Sequence, residues 1–285
     1  MKINRAKPLV SIIIVNFNGN KFLQPCLRSL TMQDYNNIEI ILVDNGSTDG
    51  SVQYISKTFP YIKLIRLQKN IGFAGANNIG FKKATGKYVL LLNNDTKVRA
   101  DFLSRLIEVF ERDSTIGAAQ SKLLVMDNPV LLDSVGAYLT PTGFLYHYGY
   151  AKKDGVFYDK EIPTYSAKGA SMMVRMSALK KVLVKGNMFD PDYFAYFEET
   201  DLCHRIWLSG YKILYVPSSI VLHKMGATSS QMNNSFVQFH SFKNRINSYI
   251  KNLGGLSLTI ILPLHLSICL LYAIVCVFSN NRSVA

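Results

Sequence analysis

The N-terminal part of the chain alternates short β-branched apolar runs with segments whose apolar residues recur at helical spacing. Residues 9–15 read LVSIIIV, a continuous apolar run that is typical of a strand buried on both faces of a sheet. The same alternation predicts strands at residues 9–15, 38–43, 62–66 and 88–92 and helices at residues 21–33, 52–59, 74–83 and 101–111. Strands that alternate with helices predict an α/β fold with a Rossmann-like, mostly parallel central sheet flanked by helices.

Beyond residue 115 the pattern becomes irregular and rich in Tyr and Gly. A helix is predicted near residues 197–210 and a strand at residues 212–216. The length of 285 residues is compatible with two domains, or with one α/β domain that carries an appendage. We expect a main α/β domain over residues 1–235, followed by a basic linker and an apolar segment over residues 236–285.

The apolar segment comprises residues 256–278, a run of 23 residues without a formal charge. A helix needs about 20 apolar residues to cross a bilayer, so the run is long enough to do so. Pro263 and His265 are compatible with a kinked span, or with a helix that lies in the membrane interface. A buried core helix is the alternative. We predict a C-terminal apolar helical segment that associates with a membrane.

Charge and composition restrict the partners of this chain. Lys and Arg outnumber Asp and Glu by 32 to 19, a net charge of +13, and no acidic residue follows Asp201. Such a balance indicates an anionic partner: nucleic acid, a membrane surface or a phosphorylated substrate. We find no nucleic-acid recognition motif, and the basic excess adjoins the apolar run, so we expect a membrane surface and no nucleic acid. The hydrophobic content of 48% excludes a disordered chain.

Several other classes of protein lack their motifs here. The four cysteines are scattered and form no CxxC pair, so neither a zinc site nor a disulfide framework is indicated. Gly72, Gly75 and Gly80 do not have the G-x-G-x-x-G spacing of a dinucleotide oxidoreductase, and no Walker motif is present. The segment NFNGNKF is not the Gly-rich, Arg-containing loop expected of a sugar-nucleotide pyrophosphorylase.

Polar clusters follow three of the predicted strands, at the edge where open α/β sheets bind ligands. Asp44 can accept an N–H of a pyrimidine base, Phe17 can pack against that base, and Asp95 can hold a divalent cation that bridges a diphosphate. Turn chemistry explains any one cluster, since Asn, Asp, Gly and Ser dominate turns. Three clusters at one edge favour a nucleotide site. The clusters are residues 16–18, 44–47 and 93–95.

Five segments, in this order, cover roughly residues 9–230 and are similar to the family 2 inverting glycosyltransferases, especially the rhamnosyltransferase-like branch of bacterial polysaccharide synthesis. The resemblance implies a GT-A fold, a nucleotide-diphosphate sugar donor and a divalent metal, Mg²⁺ or Mn²⁺. The segments are VSIIIVNFNGNKFLQPCLRSL, VDNGSTDGS, NIGFAGANNIGFKKATGKYVLLLNNDT, KGASMMVR and FDPDYFAYFEETDLCHRIWLSGYKILYVPSSIVLHKMGATS.

The resemblance also implies which residues bind the donor and the metal. The Asp-X-Asp metal motif of the family falls at Asn93-Asn94-Asp95, where only one carboxylate remains, so a further metal ligand is needed. His223 matches the family's C-terminal metal histidine, although a lone His is more often a surface or core residue. The donor-binding positions carried over are Asn16, Phe17, Asp44, Asn45, Asn77, Asn78, Asn94 and Asp95.

The catalytic base is implied by the same resemblance. An inverting transfer needs a carboxylate that takes a proton from the acceptor hydroxyl. The family's Glu-Asp pair falls at Glu198-Glu199, and we predict Glu199 as the base with Glu198 as the reserve candidate. An acidic first helical turn that favours the helix dipole is the structural alternative. Asp201 and Arg205, four residues apart, are predicted to form an ion pair.

These expectations combine into a function and a location. We expect a glycosyltransferase catalytic domain that moves a sugar, with rhamnose suggested by the branch resemblance, to a lipid-linked or polysaccharide acceptor in cell-surface glycan synthesis. Lys243, Arg245 and Lys251 precede the apolar run and only Arg282 follows it, so the catalytic side is expected at the cytosolic face of the cytoplasmic membrane. The missing carboxylate of the metal motif motivates an alternative: a catalytically weak or inactive glycosyltransferase-like membrane scaffold.

Overall fold

A computed structural model describes residues 7–225 and 233–278, so Arg282 lies outside the described residues. The helices are α1 (Asn20–Thr31), α2 (Ser51–Thr58), α3 (Gly72–Phe81), α4 (Phe102–Arg112), α5 (Met176–Leu179), α6 (Glu198–Leu208), α7 (Asn234–Asn252) and α8 (Gly255–Phe278). The strands are β1 (Val10–Asn16), β2 (Ile38–Asp44), β3 (Lys63–Arg66), β4 (Tyr88–Leu92), β5 (Thr96–Val98), β6 (Ile116–Val125), β7 (Leu132–Ser134), β8 (Ala137–Leu139), β9 (Leu145–His147), β10 (Ile162–Pro163), β11 (Ser171–Arg175) and β12 (Lys212–His223).

The central sheet has the strand order β10-β12-β6-β11-β4-β1-β2-β3. β1 is parallel to both β2 and β4, and β2 is parallel to β3. β11 runs antiparallel between β4 and β6, and β12 is again parallel to β6. The predicted α/β fold with a mostly parallel sheet is confirmed. The carboxyl ends of β1, β2 and β4 therefore meet at one edge, where the three polar clusters lie.

Both faces of the sheet are covered by helices. Successive residues of a strand point to opposite faces, and in β1 Ile12 and Ile14 join the core beneath α1 and α4 while Ile13 joins the core beneath α3 and α6. All three isoleucines are fully buried. This two-sided burial explains why β1 and β4 are nearly continuous apolar runs rather than alternating ones.

The region expected to be irregular contains a long buried strand, β6. Its ten residues, IGAAQSKLLV, include the buried polar residues Gln120, Ser121 and Lys122. These find partners inside the fold, so they are stable there, but they interrupt the apolar pattern that identifies a strand. The predicted strand at residues 212–216 is also longer than expected. β12 continues through a register shift after Val216 to His223, which pairs with Thr96 of β5.

The C-terminal helices differ in how they contact the rest of the chain. α7 buries Asn244, Ser248, Tyr249 and Asn252 against the α6 side of the domain. Among the described residues, α8 is the one helix long and apolar enough to cross a membrane, and only 11% of its most apolar window is buried. α8 is therefore no buried core helix. It touches the domain mainly through His265, whose Nδ1 lies 3.0 Å from the carbonyl oxygen of Thr142.

Candidate active site

A cavity of about 340 Å³ opens at the carboxyl ends of β1, β2 and β4. This is where an open α/β sheet binds its ligand. The structure brings seven of the sequence-predicted residues together on its wall. They are Phe17, Asn45, Asn94, Asp95, Glu198, Glu199 and His223.

Asn16 is fully buried and does not line the cavity. Its Nδ2 donates to Oγ of Ser51 at 2.9 Å and to Oγ of Ser47 at 3.1 Å, and lies 3.3 Å from Oδ1 of Asp44. Its Oδ1 accepts a 2.8 Å hydrogen bond from Nδ2 of Asn94, which does line the cavity. Asn16 and Asp44 thus form a buried network beneath the wall. Their predicted contact with a base stays a prediction.

Asn45 fixes the loop before α3 from the other side of the cavity. Its Oδ1 accepts from the backbone N–H of Ile71 at 2.9 Å, and its Nδ2 donates to Oδ1 of Asn70 at 2.9 Å. This loop has a positive φ of 84° at Gly72, and a Cβ there would lie 2.2 Å from the carbonyl oxygen of Phe194. Only glycine allows so close an approach.

Asn77 and Asn78 lie on α3, away from the cavity wall. Asn77 donates to the carbonyl oxygen of Phe73 in its own helix at 2.9 Å. Asn78 donates to the carbonyl oxygen of Phe189 and accepts from its N–H, both at 2.9 Å. The bond of Asn77 thus lies within α3, and the two bonds of Asn78 join α3 to the segment before α6. A donor contact of these two amides stays a prediction.

Asp95 and His223 meet at the cavity because β5 pairs with the end of β12. Nε2 of His223 lies 3.3 Å from Oδ1 of Asp95, and both side chains are buried. On the other side of the ring, Nδ1 of His223 lies 2.8 Å from Oδ2 of Asp133, whose Oδ1 accepts from Nζ of Lys168 at 2.6 Å. Sequence reasoning missed Asp133 and Lys168 as site residues. Lys168 begins the KGASMMVR segment, whereas nothing in the sequence marks Asp133.

Buried oxygen atoms with few hydrogen-bond partners lie at the Asp95–His223 pair. Oδ1 of Asp95 is buried and has no hydrogen-bond partner among the described residues other than Nε2 of His223 at 3.3 Å, and the buried Oδ1 of Asn93 beside it has none. Burial alone would lower the pKa of His223, but the hydrogen bonds to Asp133 and Asp95 raise it. Within residues 7–225 and 233–278, no group of three His, Cys, Asp or Glu side chains could hold a metal by itself. Metal binding by Asp95 and His223 therefore stays a prediction.

The two glutamates enter the cavity from the first turn of α6. Just before them, Tyr196 and Phe197 have positive φ values of 71° and 70°. Each such non-glycine residue costs roughly 1–3 kcal/mol unless its surroundings impose it. Here Nδ2 of Asn244, from α7, donates to the carbonyl oxygens of Ala195 and Tyr196 at 2.9 and 2.7 Å. α7 therefore holds the strained turn that presents Glu198 and Glu199.

The environments of the two carboxyls differ. Burial and the adjacent charge of Glu199 raise the pKa of Glu198 well above its usual value, which favours the protonated form of Glu198 more than in an exposed glutamate. Burial raises the pKa of Glu199 too, but the charge of Lys168 and the N–H of Gly169 oppose that rise. Glu199 is thus better suited to carry the charge. It also lines a second cavity of about 250 Å³, which adjoins the first through Lys168, Tyr196 and Glu199.

The predicted ion pair on α6 is confirmed. Nε of Arg205 lies 2.9 Å from Oδ2 of Asp201, which is fully buried. Asp201 also lies 3.0 Å from Nζ of Lys251 on α7. This cluster has a structural role, because it joins α6 to α7 behind the cavity and none of its members lines the cavity wall.

A family model described as Glycosyl transferase family 2 matches residues 11–183. The chain belongs to this family. The matched range includes Asn16, Asp44 and Asp95, and it ends before Glu199 and His223. The recognition made from the sequence motifs is confirmed.

Curated relatives of this family 2 chain are bacterial. An uncharacterized glycosyltransferase of Haemophilus influenzae is 31% identical over 42% of this chain and 38% of its own length. Glycosyltransferase GlyG of Streptococcus pneumoniae is 23% identical over 76% of this chain and 70% of its own. The N-acetylglucosaminyl-diphospho-decaprenol L-rhamnosyltransferase of Mycobacterium tuberculosis is 25% identical over 75% of this chain and 76% of its own. The match thus spans well under half of the Haemophilus protein.

Solved structures with the same fold include GalNAc-T7 with UDP, GalNAc and Mn²⁺, with a TM-score of 0.64 and 19% identity over 77% of this chain and 44% of that one. S. aureus TarS 1–349 in complex with UDP-GlcNAc has a TM-score of 0.63 and 16% identity over 90% of this chain and 72% of that one. At these identities the likeness shows the fold. The predicted GT-A fold is confirmed.

Proposed function

We propose that this family 2 chain transfers a sugar, with inversion, from a nucleotide-diphosphate sugar to a hydroxyl acceptor, and that Glu199 is the catalytic base. The observation that carries the proposal is the position of Glu199. It lies on the wall shared by the cavity that holds Asp95 and His223 and by the second cavity, so a donor and an acceptor could meet at its carboxylate.

In the proposed step, one bond to the anomeric carbon forms while another breaks. The acceptor hydroxyl passes its proton to the Glu199 carboxylate while the hydroxyl oxygen forms a bond to the anomeric carbon. The bond between that carbon and the β-phosphate oxygen breaks, and its electron pair leaves with the nucleoside diphosphate. The raised pKa of Glu198 disfavours a second negative charge beside the nucleophile.

Asp95 and His223 would hold a divalent metal, Mg²⁺ or Mn²⁺. Oδ1 of Asp95 has no hydrogen-bond partner among the described residues other than Nε2 of His223 at 3.3 Å, and both residues line the cavity, which supports this choice. Such ions are commonly held by one or two protein ligands together with substrate phosphates and water. When bound, the metal would neutralise the charge of the leaving diphosphate. The Mn²⁺ named with UDP in the GalNAc-T7 structure supports the same class of metal.

The relatives guide the choice of donor and acceptor. Rhamnose is the first donor sugar to test, because a relative with 25% identity over three quarters of the chain is a rhamnosyltransferase. That relative's name also includes a lipid-diphosphate, and another relative is a putative teichuronic acid biosynthesis glycosyltransferase. Both support a lipid-linked or glycan acceptor in cell-surface glycan synthesis.

We further propose that the protein is attached to the cytosolic face of the cytoplasmic membrane. α8 is apolar and mostly uncovered, and Lys243 and Lys251 precede it on α7. Basic residues next to a membrane helix favour the cytosolic side. The predicted division between residues 235 and 236 falls inside α7, which packs on α6, so we assign the attachment to α8. Full-length protein is expected in the membrane fraction, and a variant lacking residues 254–285 is expected to be largely soluble.

The experiment that tests the function has two stages. A panel of nucleotide sugars, including nucleoside-diphosphate rhamnose, is first screened for thermal stabilisation of the protein, since a ligand at 100 times its Kd adds about 2.7 kcal/mol. Glu199→Gln should then keep donor binding but lose about 10²–10⁴-fold in transfer rate. Glu198→Gln is the matched control, with a smaller loss. Full activity of Glu199→Gln would move the base to Glu198, and absence of any donor binding would favour the inactive scaffold.

A further inference from the structure

The second cavity has a wall of its own beyond the residues that it shares with the first. This wall is formed by Arg245 and Ser241 of α7, by Phe144 and His147 of the β8–β9 hairpin, and by Phe197. Since Glu199 lines both cavities, a group bound here would lie near the proposed base. Neither Asp95 nor His223 lines this cavity, so the two cavities differ in chemistry.

Arg245 is the unusual residue of this wall. Its guanidinium stacks between Phe144 and Phe197, with centroid distances of 5.1 and 5.8 Å. Its Nε is buried and has no hydrogen-bond partner. Within residues 7–225 and 233–278, no carboxylate lies within ion-pair distance of it. A half-buried cation without a counter-ion is costly in a folded protein, and an anionic ligand would compensate that cost.

An alternative explanation for an Arg at this position is its stacking on the two aromatic rings. Cation–π contacts stabilise a fold by about 0.5–2 kcal/mol. That explanation accounts for the guanidinium plane but leaves the buried Nε unpartnered. The five N–H groups of Arg, in a rigid planar fork, match the oxygens of a phosphate. A phosphate that enters the cavity would find this fork already oriented by the two aromatic rings.

α8 adds a second property to the ligand. His265 of α8 is buried against Phe144, with ring centroids 4.4 Å apart, and its Nε2 lies 3.4 Å from Nη1 of Arg245. Neighbouring side chains of α8, such as Leu264 and Leu266, are exposed. The exposed apolar side chains of α8 therefore lie next to His265, which contacts the guanidinium of Arg245. A ligand with an anionic head and an apolar tail would satisfy both surfaces at once.

We propose that the second cavity binds the acceptor as an amphiphilic phosphate, with the diphosphate or phosphate head on Arg245, the acceptor hydroxyl towards Glu199 and the apolar chain along α8. This proposal rests on the proposed sugar transfer for the role of acceptor. The binding of the amphiphile itself does not depend on that transfer.

The test measures binding of farnesyl diphosphate to the full-length protein in detergent by isothermal titration calorimetry. EDTA is present, so that a diphosphate cannot bind through a metal at Asp95 and His223. Arg245→Gln should weaken binding at least tenfold, and Arg245→Lys should weaken it less. Lys243→Gln, a charge change on the same helix outside the cavity, should change the Kd less than twofold. Farnesol and inorganic diphosphate should each bind at least tenfold more weakly than farnesyl diphosphate.

Each contrary result overturns the proposal in a recognisable way. Equal binding by wild type and both Arg245 variants would exclude Arg245 as the phosphate ligand. Inorganic diphosphate that binds as tightly as farnesyl diphosphate would exclude an amphiphile. Binding lost in Asp95→Asn but retained in Arg245→Gln would place the diphosphate in the first cavity. Thermal stabilisation of wild type and of Arg245→Gln by the nucleotide sugar is measured in parallel. If the nucleotide sugar does not bind to wild type, the proposed function itself has failed.

Discussion

Nδ1 of His223 lies 2.8 Å from Oδ2 of Asp133, a residue 90 positions earlier in the chain. The other oxygen of Asp133 accepts from Lys168, and the other nitrogen of His223 faces Asp95. A carboxylate that holds the far nitrogen of a metal histidine fixes the orientation of the ring and the position of its proton. Asp133 therefore aims Nε2 of His223 at the oxygen that would share the metal.

Asp133→Asn should weaken divalent-metal binding by about 10–100-fold, the usual effect of removing such an orienting group. The amide cannot accept from Nδ1 and Lys168 as a carboxylate does, so the ring loses its fixed orientation. The measurement is a Mn²⁺ titration followed by electron paramagnetic resonance, in the presence of the nucleotide that stabilises the protein.

Asp192→Asn is the control for this prediction, because Asp192 is exposed and pairs only with Lys185 at 3.7 Å. The melting temperature of Asp133→Asn is recorded as well, since Asp133 is almost fully buried. Mn²⁺ binding equal to that of wild type would show that Asp133 has no orienting role.

Gly19→Ala should disturb the buried Asn16–Asn94 hydrogen bond beneath the first cavity. A Cβ at this position would lie 2.2 Å from Nδ2 of Asn94 and 2.7 Å from Oδ1 of Asn16, so the hydrogen bond between these two residues cannot persist unchanged. Overpacking of this kind costs about 1–3 kcal/mol. We expect a lower free energy of unfolding and weaker donor binding, both measurable by thermal shift with and without nucleotide sugar.

Gly155→Ala is the matched change for Gly19→Ala, because a Cβ at Gly155 would meet no atom within 4 Å. It should leave donor binding and stability within about 0.5 kcal/mol of wild type. If the two variants bind donor equally well, the buried Asn16–Asn94 bond does not shape the donor site.

Asn244→Ala should lower transfer through the strained turn. The change leaves the buried carbonyls of Ala195 and Tyr196 without their donor, which costs roughly 1–3 kcal/mol for each unsatisfied group. The turn is then free to relax from its positive φ values, and the first turn of α6 moves with it. We expect kcat to fall more than tenfold while the KM for the donor changes little, since Asn244 does not line the first cavity.

A control for this split is Asn247→Ala, one turn further along α7 and outside both cavities. It should leave kcat within twofold of wild type. A fall in the donor KM alone for Asn244→Ala, with kcat unchanged, would contradict a role of Asn244 in positioning the carboxylates.

The N-terminal half of the fold could be predicted because β1, β2 and β4 are largely buried on both faces and carry apolar runs, and edge strand β3 keeps a short one. β6 could not, since Gln120, Ser121 and Lys122 are buried with partners from distant segments. Lys122, for example, is paired with Asp154 and Asp159. A local pattern cannot show such partners.

The candidate site shows the same division. Asp95 and Glu199 stand in recognisable motifs, so the sequence placed both at the site. Asp133 lines neither cavity and reaches the site through His223 and Lys168, and Arg245 lines the second cavity because α7 packs on α6. These two roles depend on tertiary contacts between segments that are far apart in the chain. The sequence carries no local signal for these two roles, although Arg245 is one of the basic residues that precede the apolar run.

Glu39 provides a pH test of the fold that is independent of the site. Burial alone would raise the pKa of Glu39, but hydrogen bonds from Lys63, Ser11 and Thr85 lower it to about 2 from the usual 4.5. Its side chain is 10% exposed. A carboxyl whose pKa is depressed on folding stabilises the native state above the unfolded pKa, and that contribution is lost as the pH falls towards the folded pKa. Glu39→Gln should therefore be destabilised by about 1–3 kcal/mol at pH 7.

The difference between wild type and Glu39→Gln should shrink as the pH falls from about 4.5 towards 2, because wild-type Glu39 then also loses its charge. Urea unfolding at a series of pH values measures this difference directly. Glu108→Gln is the control, since Glu108 is exposed and its pair with Arg105 is a surface pair worth little. A difference that stays constant between pH 7 and 3 would mean that the lost hydrogen-bond geometry, rather than the charge of Glu39, stabilises this corner of the sheet.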